Sequence, residues 1–214
     1  MFFKTGAAAA LMVLFSGCAP IRVAPVEPGM AMPNPASGYV AGSFTREKMS
    51  DLAFVVHDMD TGVDYNLPLG ADSRYPTAVN DQVIAIAVPP GHYAINQWVA
   101  YATITKDTLI RKEVSNLRLS APFTVLAGDV IFVGKYLITG GATYGGLSWH
   151  IQPLGINVAE AQRAFVAAYP AFLNSRFNCH LCIGTDVQAK HKPIPYGFML
   201  MGKGAKDEDR DGGN

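Results

Sequence analysis

From Gly38 onward the chain is written in short apolar runs, each stopped by glycine, proline or aspartate within about ten residues. Helices need longer amphipathic stretches of period 3.6, so this texture commits most of the chain to strands. The first run is Tyr39 to Thr45 and the second Leu52 to Met59. Asp60-Thr61-Gly62 then makes a turn, because glycine supplies the positive φ that tight loops demand. Val63 to Leu69 alternates, with Val63, Tyr65, Leu67 and Leu69 on one face and Asp64, Asn66 and Pro68 on the other. Pro68 cannot donate to a ladder, which marks an edge or a strand end. Val83 to Val88 is continuously apolar and is expected to be a buried central strand. Pro89-Pro90-Gly91 stops it and opens His92 to Ala102, where Tyr93, Ile95, Val99 and Tyr101 are expected to share one face.

Thr105 to Ser120 is more charged and reads as a hairpin excursion or a strand pair. Pro122 to Leu126, the turn Ala127-Gly128-Asp129 and Val130 to Ile138 are expected to form a hairpin. Gly140, Gly141, Gly145 and Gly146 then read as a flexible link to Leu147 through Ile151. One helix stands out between Asn157, a suitable N-cap with Glu160 three residues on, and Pro170, which ends it. Val158, Ala161, Phe165, Ala168 and Tyr169 form its apolar stripe. The expected fold is therefore mainly β: an antiparallel β-sandwich of about seven or eight strands with one C-terminal helix, near 158–169, packed on it.

The N-terminus carries a second signature. Lys4 precedes an apolar segment of ten residues, Gly6 to Phe15. A segment that short cannot cross a hydrocarbon core, which needs roughly twenty apolar residues. A charged start, a short apolar middle and small residues before a cut mark an export signal. Leu14-Phe15-Ser16-Gly17-Cys18 resembles a bacterial lipobox, in which the cysteine takes a diacylglyceryl group. Phe15 stands where leucine is usual. The resemblance implies residues 1–17 as signal peptide, Cys18 as the lipidated first residue of the mature chain, and the lipid bilayer as a partner. Ala19 is not the aspartate associated with inner-membrane retention, so the implied address is the outer membrane, facing the periplasm or the cell surface. Residues 18–37 hold prolines at 20, 25, 28, 33 and 35 and read as an extended tether, with a segment lying along the domain surface as the alternative. The domain is then expected over 38–201, followed by a charged, glycine-rich and disordered tail over 202–214.

Seventeen basic residues face seventeen acidic ones, so nothing in the balance favours binding phosphates, and a nucleic-acid role is excluded on charge. Three cysteines suit an oxidising compartment only if one is otherwise engaged. Lipid on Cys18 leaves Cys179 and Cys182 as an even pair.

Pro89-Pro90-Gly91-His92-Tyr93 and Leu126-Ala127-Gly128-Asp129-Val130-Ile131-Phe132-Val133-Gly134 resemble motifs of a group of uncharacterised bacterial lipoproteins with carboxypeptidase-regulatory or PEGA-like β-sandwiches. The similarity spans roughly Gly38 to Tyr169, with Phe132 where tyrosine is common. These are turn-and-strand signatures, in which Gly91 and Gly128 allow tight reversals and Tyr93 fills the core. They imply fold and supply no catalytic residues.

Cys179-His180-Leu181-Cys182 is the sharpest chemical constellation. In an oxidising compartment such a pair most often forms a disulfide. Zinc on Cys179, Cys182, His191 and His180 is an alternative, as is a redox-active pair, although the latter wants a βαβ setting. Covalent haem is excluded, because Ile183 follows the second cysteine where histidine is required. Asp207, Asp209 and Asp211 mimic the start of a calcium loop but read as a solvated tail. His57, His92 and His150 lie on strand faces without a nucleophile at readable spacing. No catalytic residue, metal or cofactor is assigned. The leading reading is a non-catalytic, membrane-anchored binding or structural module acting on an envelope protein or the cell wall. The alternative is a metal- or redox-responsive periplasmic module built on Cys179 and Cys182.

Overall fold

A computed structural model describes residues 23–29, 32–47, 51–70, 78–101, 108–116, 118–143 and 146–183. The short runs become ten strands: β1 (Gly38–Arg46), β2 (Asp51–Asp58), β3 (Asp64–Pro68), β4 (Val79–Val88), β5 (Gly91–Tyr101), β6 (Thr108–Glu113), β7 (Phe123–Val125), β8 (Val130–Thr143), β9 (Gly146–Leu154) and β10 (Phe177–Cys179). Helix α1 (Val158–Ala168) and a 3-10 turn (Pro170–Phe172) lie between the last two. The strands divide into two sheets of five. Sheet I has the order β10-β8-β1-β4 with β9 also on β8, and sheet II the order β3-β2-β5-β6 with β7 also on β5.

One apolar cluster fills the space between the sheets. Val40 and Phe44 of β1 meet Leu52, Phe54 and Val56 of β2 there, with Tyr93, Ile95 and Trp98 of β5 and Tyr136 and Ile138 of β8. At its centre Phe44 stacks on Tyr136 at 5.9 Å, and Phe54 meets Tyr136 edge-on at 5.1 Å. Such ring pairs contribute about 0.5–1.5 kcal/mol each beyond the area they bury. The Tyr136 hydroxyl donates to the Val133 carbonyl at 2.8 Å, so its burial leaves no polar atom stranded.

A second layer covers the outer side of sheet I. The Asn157 side chain accepts the Glu160 N–H at 2.8 Å and starts α1 where capping chemistry places it. Ala161 and Phe165 then turn inward onto Tyr39 and Ala41 of β1, Val83 and Ala85 of β4, and Val130 and Phe132 of β8. The Tyr169 hydroxyl donates to the Val83 carbonyl at 3.3 Å.

Several expectations are corrected. Ten strands are described instead of seven or eight, and sheet I is mixed rather than antiparallel: β8 runs parallel to β1, and β10 parallel to β8. Between β1 and β8 the chain runs through β4 of sheet I and all five strands of sheet II, a connection long enough to bring β8 in parallel to β1. β4 is the last strand of its sheet, not a central one. Its run is continuously apolar because sheet II covers one face through Ile84 and Ile86 while the helix layer covers the other through Val83 and Ala85.

β5 breaks its own alternation. Val55 pairs with Gln97 but Val56 with Ile95, so Asn96 is an extra residue. A bulge reverses which face each later residue takes. Tyr93, Ile95 and Trp98 therefore point between the sheets, while Val99 and Tyr101 join Ala53 and Val55 on the opposite face of sheet II.

β7 and β8 do not form a hairpin. Phe123 pairs with Tyr93 in sheet II while Val130 joins sheet I, so residues 127–129 bridge the sheets, with Gly128 at φ 78°. Gly140, Gly141 and Gly146 are strand residues rather than a link: Gly140 pairs with Trp149 inside a long hairpin. A side chain at Gly140 would strike the Ser148 carbonyl, so glycine here permits close strand approach.

The segment read as a tether is laid on the domain from its first described residues. Val26 is 6% exposed, sits in the helix-side cluster, and donates its N–H to the Ala85 carbonyl at 2.8 Å. Asn34 donates its N–H to the Tyr39 hydroxyl at 2.6 Å. Cys18, the signal segment, His191 and the charged tail lie outside the described residues.

Candidate functional site

The Cys-x-x-Cys loop follows β10, which adds to the edge of β8 through Phe177, Asn178 and Cys179. Phe177 packs against Phe165 and Phe132 at 5.8 Å each, so the aromatic helix layer fixes where the loop begins. Cys179 and Cys182 are joined in a disulfide with a Cα–Cα separation of 5.6 Å. Their sulfurs bond to each other and are not free as thiolate ligands. Among the described residues no group of three or more histidine, cysteine or acidic side chains is arranged to hold a metal.

The two residues inside the loop reach across the molecule. Leu181 packs against the core between the sheets, over Gly134. The His180 N–H donates to the Phe132 carbonyl at 2.8 Å, and its ring tilts against Phe123 of β7 at 4.9 Å. A loop stapled to sheet I thus touches a strand of sheet II. His180 Nε2 is buried with no hydrogen-bond partner among the described residues. Burial lowers the ring's pKa from its ordinary 6.5, partly opposed by the Leu119 and Arg118 carbonyls, which favour the charged form.

The folded state therefore prefers the neutral ring. As pH falls through about 6.5 the unfolded chain takes up the proton first, so this contribution to stability is complete above that pH and declines below it. Thermal midpoints measured from about pH 8 to about pH 5 should fall more steeply for the native chain than for His180→Leu. Parallel profiles would show that the ring carries no such linkage.

Sheet II gathers the remaining polar chemistry. His57 on β2 and Asp64 on β3 are directly paired across the hairpin, and Nδ1 meets the carboxylate at 2.7 Å. Arg111 of β6 donates from Nη2 to the other oxygen of Asp64 at 2.7 Å and from Nε to Gln97. β6 and β3 are opposite ends of the sheet order, so the arginine reaches over β5 and β2 on the side facing away from the shared core. Asp64 is well covered at 13% exposure, while His57 and Arg111 stand at 33% and 36%.

Nearby, Asp60 accepts both the backbone and the ring N–H of His92. The His92 ring, then its backbone N–H, hold the exposed Asp60 carboxyl below its usual range. His150 lies exposed on β9. The sequence reading placed His57 and His92 on strand faces but missed their carboxylate partners. The partners of His57 and Asp64 are each other, Arg111 and, through it, Gln97. Such a set joins an imidazole and a guanidinium to one carboxylate. It lies on the outer face of sheet II, beside the buried cluster of Ala53, Val55, Val99 and Tyr101. A small hollow, lined by Glu27, Pro28, Tyr169, Pro170, Ala171 and Phe172, sits at the helix layer instead.

The sequence matches no protein-family model and no curated protein. Among solved structures it is similar to a leucine-rich repeat protein from Bacteroides thetaiotaomicron, at 18% identity and a TM-score of 0.32 over 48% of this chain. The match takes in 12% of that protein's length.

Proposed function

We propose that this chain is an envelope lipoprotein, anchored in the outer membrane through acylated Cys18, whose β-sandwich of the carboxypeptidase-regulatory or PEGA-like kind is a non-catalytic binding or structural module. The observation that carries the reading is the disulfide between Cys179 and Cys182, which leaves Cys18, inside the lipobox pattern, as the one remaining cysteine of three. An oxidising compartment accounts for both facts. The sandwich is supported by two sheets sharing one core, with the helix layer on the outer side of sheet I.

The outer side of sheet II bears the half-exposed cluster of His57, Asp64, Arg111 and Gln97, a face suited to a polar envelope protein or cell-wall component. Arg111 supplies a planar fork and Asp64 a carboxylate already oriented by two donors. Crosslinking on membranes followed by capture of the full chain should recover a consistent partner, and Arg111→Glu should reduce that recovery several-fold while leaving the protein's amount unchanged. Recovery identical in the variant, or no consistent partner in the native protein, counts against the assignment of this face. The redox alternative gains no support from the geometry, since the disulfide loop holds Leu181 in the core.

A further inference from the structure

We infer that residues 23–29 act as a strap rather than a free tether, so that the helix layer of the domain is its membrane-facing side. The inference rests on acylation of Cys18 and adds to it an orientation. Val26 is buried among helix-layer residues and hydrogen-bonded to Ala85 on the free edge of β4. Glu27 and Pro28 share a hollow with Tyr169 and Phe172. Movement of the domain relative to its anchor must therefore be taken up before Val26.

Eight residues separate Cys18 from Val26, at most about 28 Å when fully extended. A free tether ending at Ser37 would have more than twice that length. Stacked layers lie about 10 Å apart, so the outer face of sheet II is roughly 20 Å deeper than the helix layer. Turning that face to the bilayer would use most of the leash in passing round the edge of β4. Turning the helix layer inward uses little of it.

The surface beside the strap suits the headgroup boundary. Leu173, immediately after the 3-10 turn that lines the hollow, is 63% exposed. Arg176 is paired with Asp129 at 3.7 Å, and the exposed Arg163 of α1 is offset by the exposed Glu160 and Glu27, so charge gives this face little attraction of its own. Acyl chains supply the affinity and the strap selects the side.

The test uses the full chain processed in cells, with the photoreactive residue p-benzoylphenylalanine in place of Leu173 or, on the sheet II side, Thr61. Phospholipid adducts and intact mass are read from the same membranes. Position 173 should give several-fold more lipid adduct than position 61, and Val26→Asp should bring the two toward equality without removing the acyl mass. Acylated protein with equal adducts, with more at 61, or with only protein adducts at 173 overturns the orientation and leaves the anchor standing. A ratio unchanged by Val26→Asp overturns the strap. A mature chain without acyl mass overturns the anchor and the orientation together.

Discussion

Replacing Cys18 by serine is expected to remove the protein from the outer-membrane fraction almost completely. The proposed lipidation would form a thioether, and the serine oxygen does not provide the sulfur that the bond requires. Each buried methylene contributes about 0.8 kcal/mol, so two acyl chains of about sixteen carbons supply on the order of 24 kcal/mol of membrane affinity. No described helix is long and apolar enough to cross a membrane. Exposed apolar side chains such as Leu173 contribute only about 1.5–3 kcal/mol each even if fully buried. Flotation of membranes from cells expressing Cys18→Ser is the measurement. Wild-type amounts of the variant in the outer-membrane band would end the lipoprotein reading. A double variant, Cys179→Ser with Cys182→Ser, separates the roles of the three sulfurs: it should float like the native protein while losing stability. Closing a four-residue loop is worth about 2 kcal/mol in the chain-entropy description.

What the sequence made legible follows from how local each signal is. The helix could be placed to within a residue because its cap, its stripe and its terminating proline all lie inside one short window. The His57–Asp64 pair was implicit in the turn at residues 60–62. A hairpin centred there makes position 57 face position 64 just as position 53 faces position 68, and continuing the register would have found it. Arg111 was beyond reach, because its contact with Asp64 depends on the order of four strands.

The misplaced faces have equally particular causes. Alternation along β5 was read as unbroken, and one extra residue at Asn96 sent Val99 and Tyr101 to the other side. An apolar run was read as a central strand, although β4 is covered by a sheet on one face and a helix on the other, with Val26 at its edge. Burial can be inferred from hydrophobicity, but the identity of the covering element cannot. The proline-rich segment left two readings open. Its composition favours extended backbone, and extended backbone suits a strap as well as a tether. Val26 decides between them only once Ala85 and Tyr169 are beside it.

Truncating Phe165 to alanine should be the most damaging single change in the helix layer. Its ring is 1% exposed and lies within 5.2 Å of Tyr169, 5.4 Å of Phe172 and 5.8 Å of Phe177, centroid to centroid. These three rings belong to the helix end, the 3-10 turn and β10, so one side chain ties the helix and the turn to the β10 edge of sheet I. Removing a buried phenylalanine side chain costs about 3–5 kcal/mol, the larger values applying where the surroundings cannot collapse. Neighbours fixed by a sheet on one side and a disulfide loop on the other have little freedom to close the gap. Against a total stability of about 5–15 kcal/mol the loss is severe, and at roughly 2–4 °C per kcal/mol the thermal midpoint should drop by about 6–20 °C. The damage should also be directional. Amide exchange should quicken first at Val26, whose bond to Ala85 lies beside this layer, and at His180, whose N–H depends on β10 staying docked. Val56 and Ile95, deep between the sheets, should follow only the global change. Phe165→Leu, which keeps most of the volume, should show a much smaller shift in the same order. A loss below about 1 kcal/mol for Phe165→Ala, or exchange quickening uniformly across both sheets, would mean that the helix layer is not the separate cooperative unit that its packing describes.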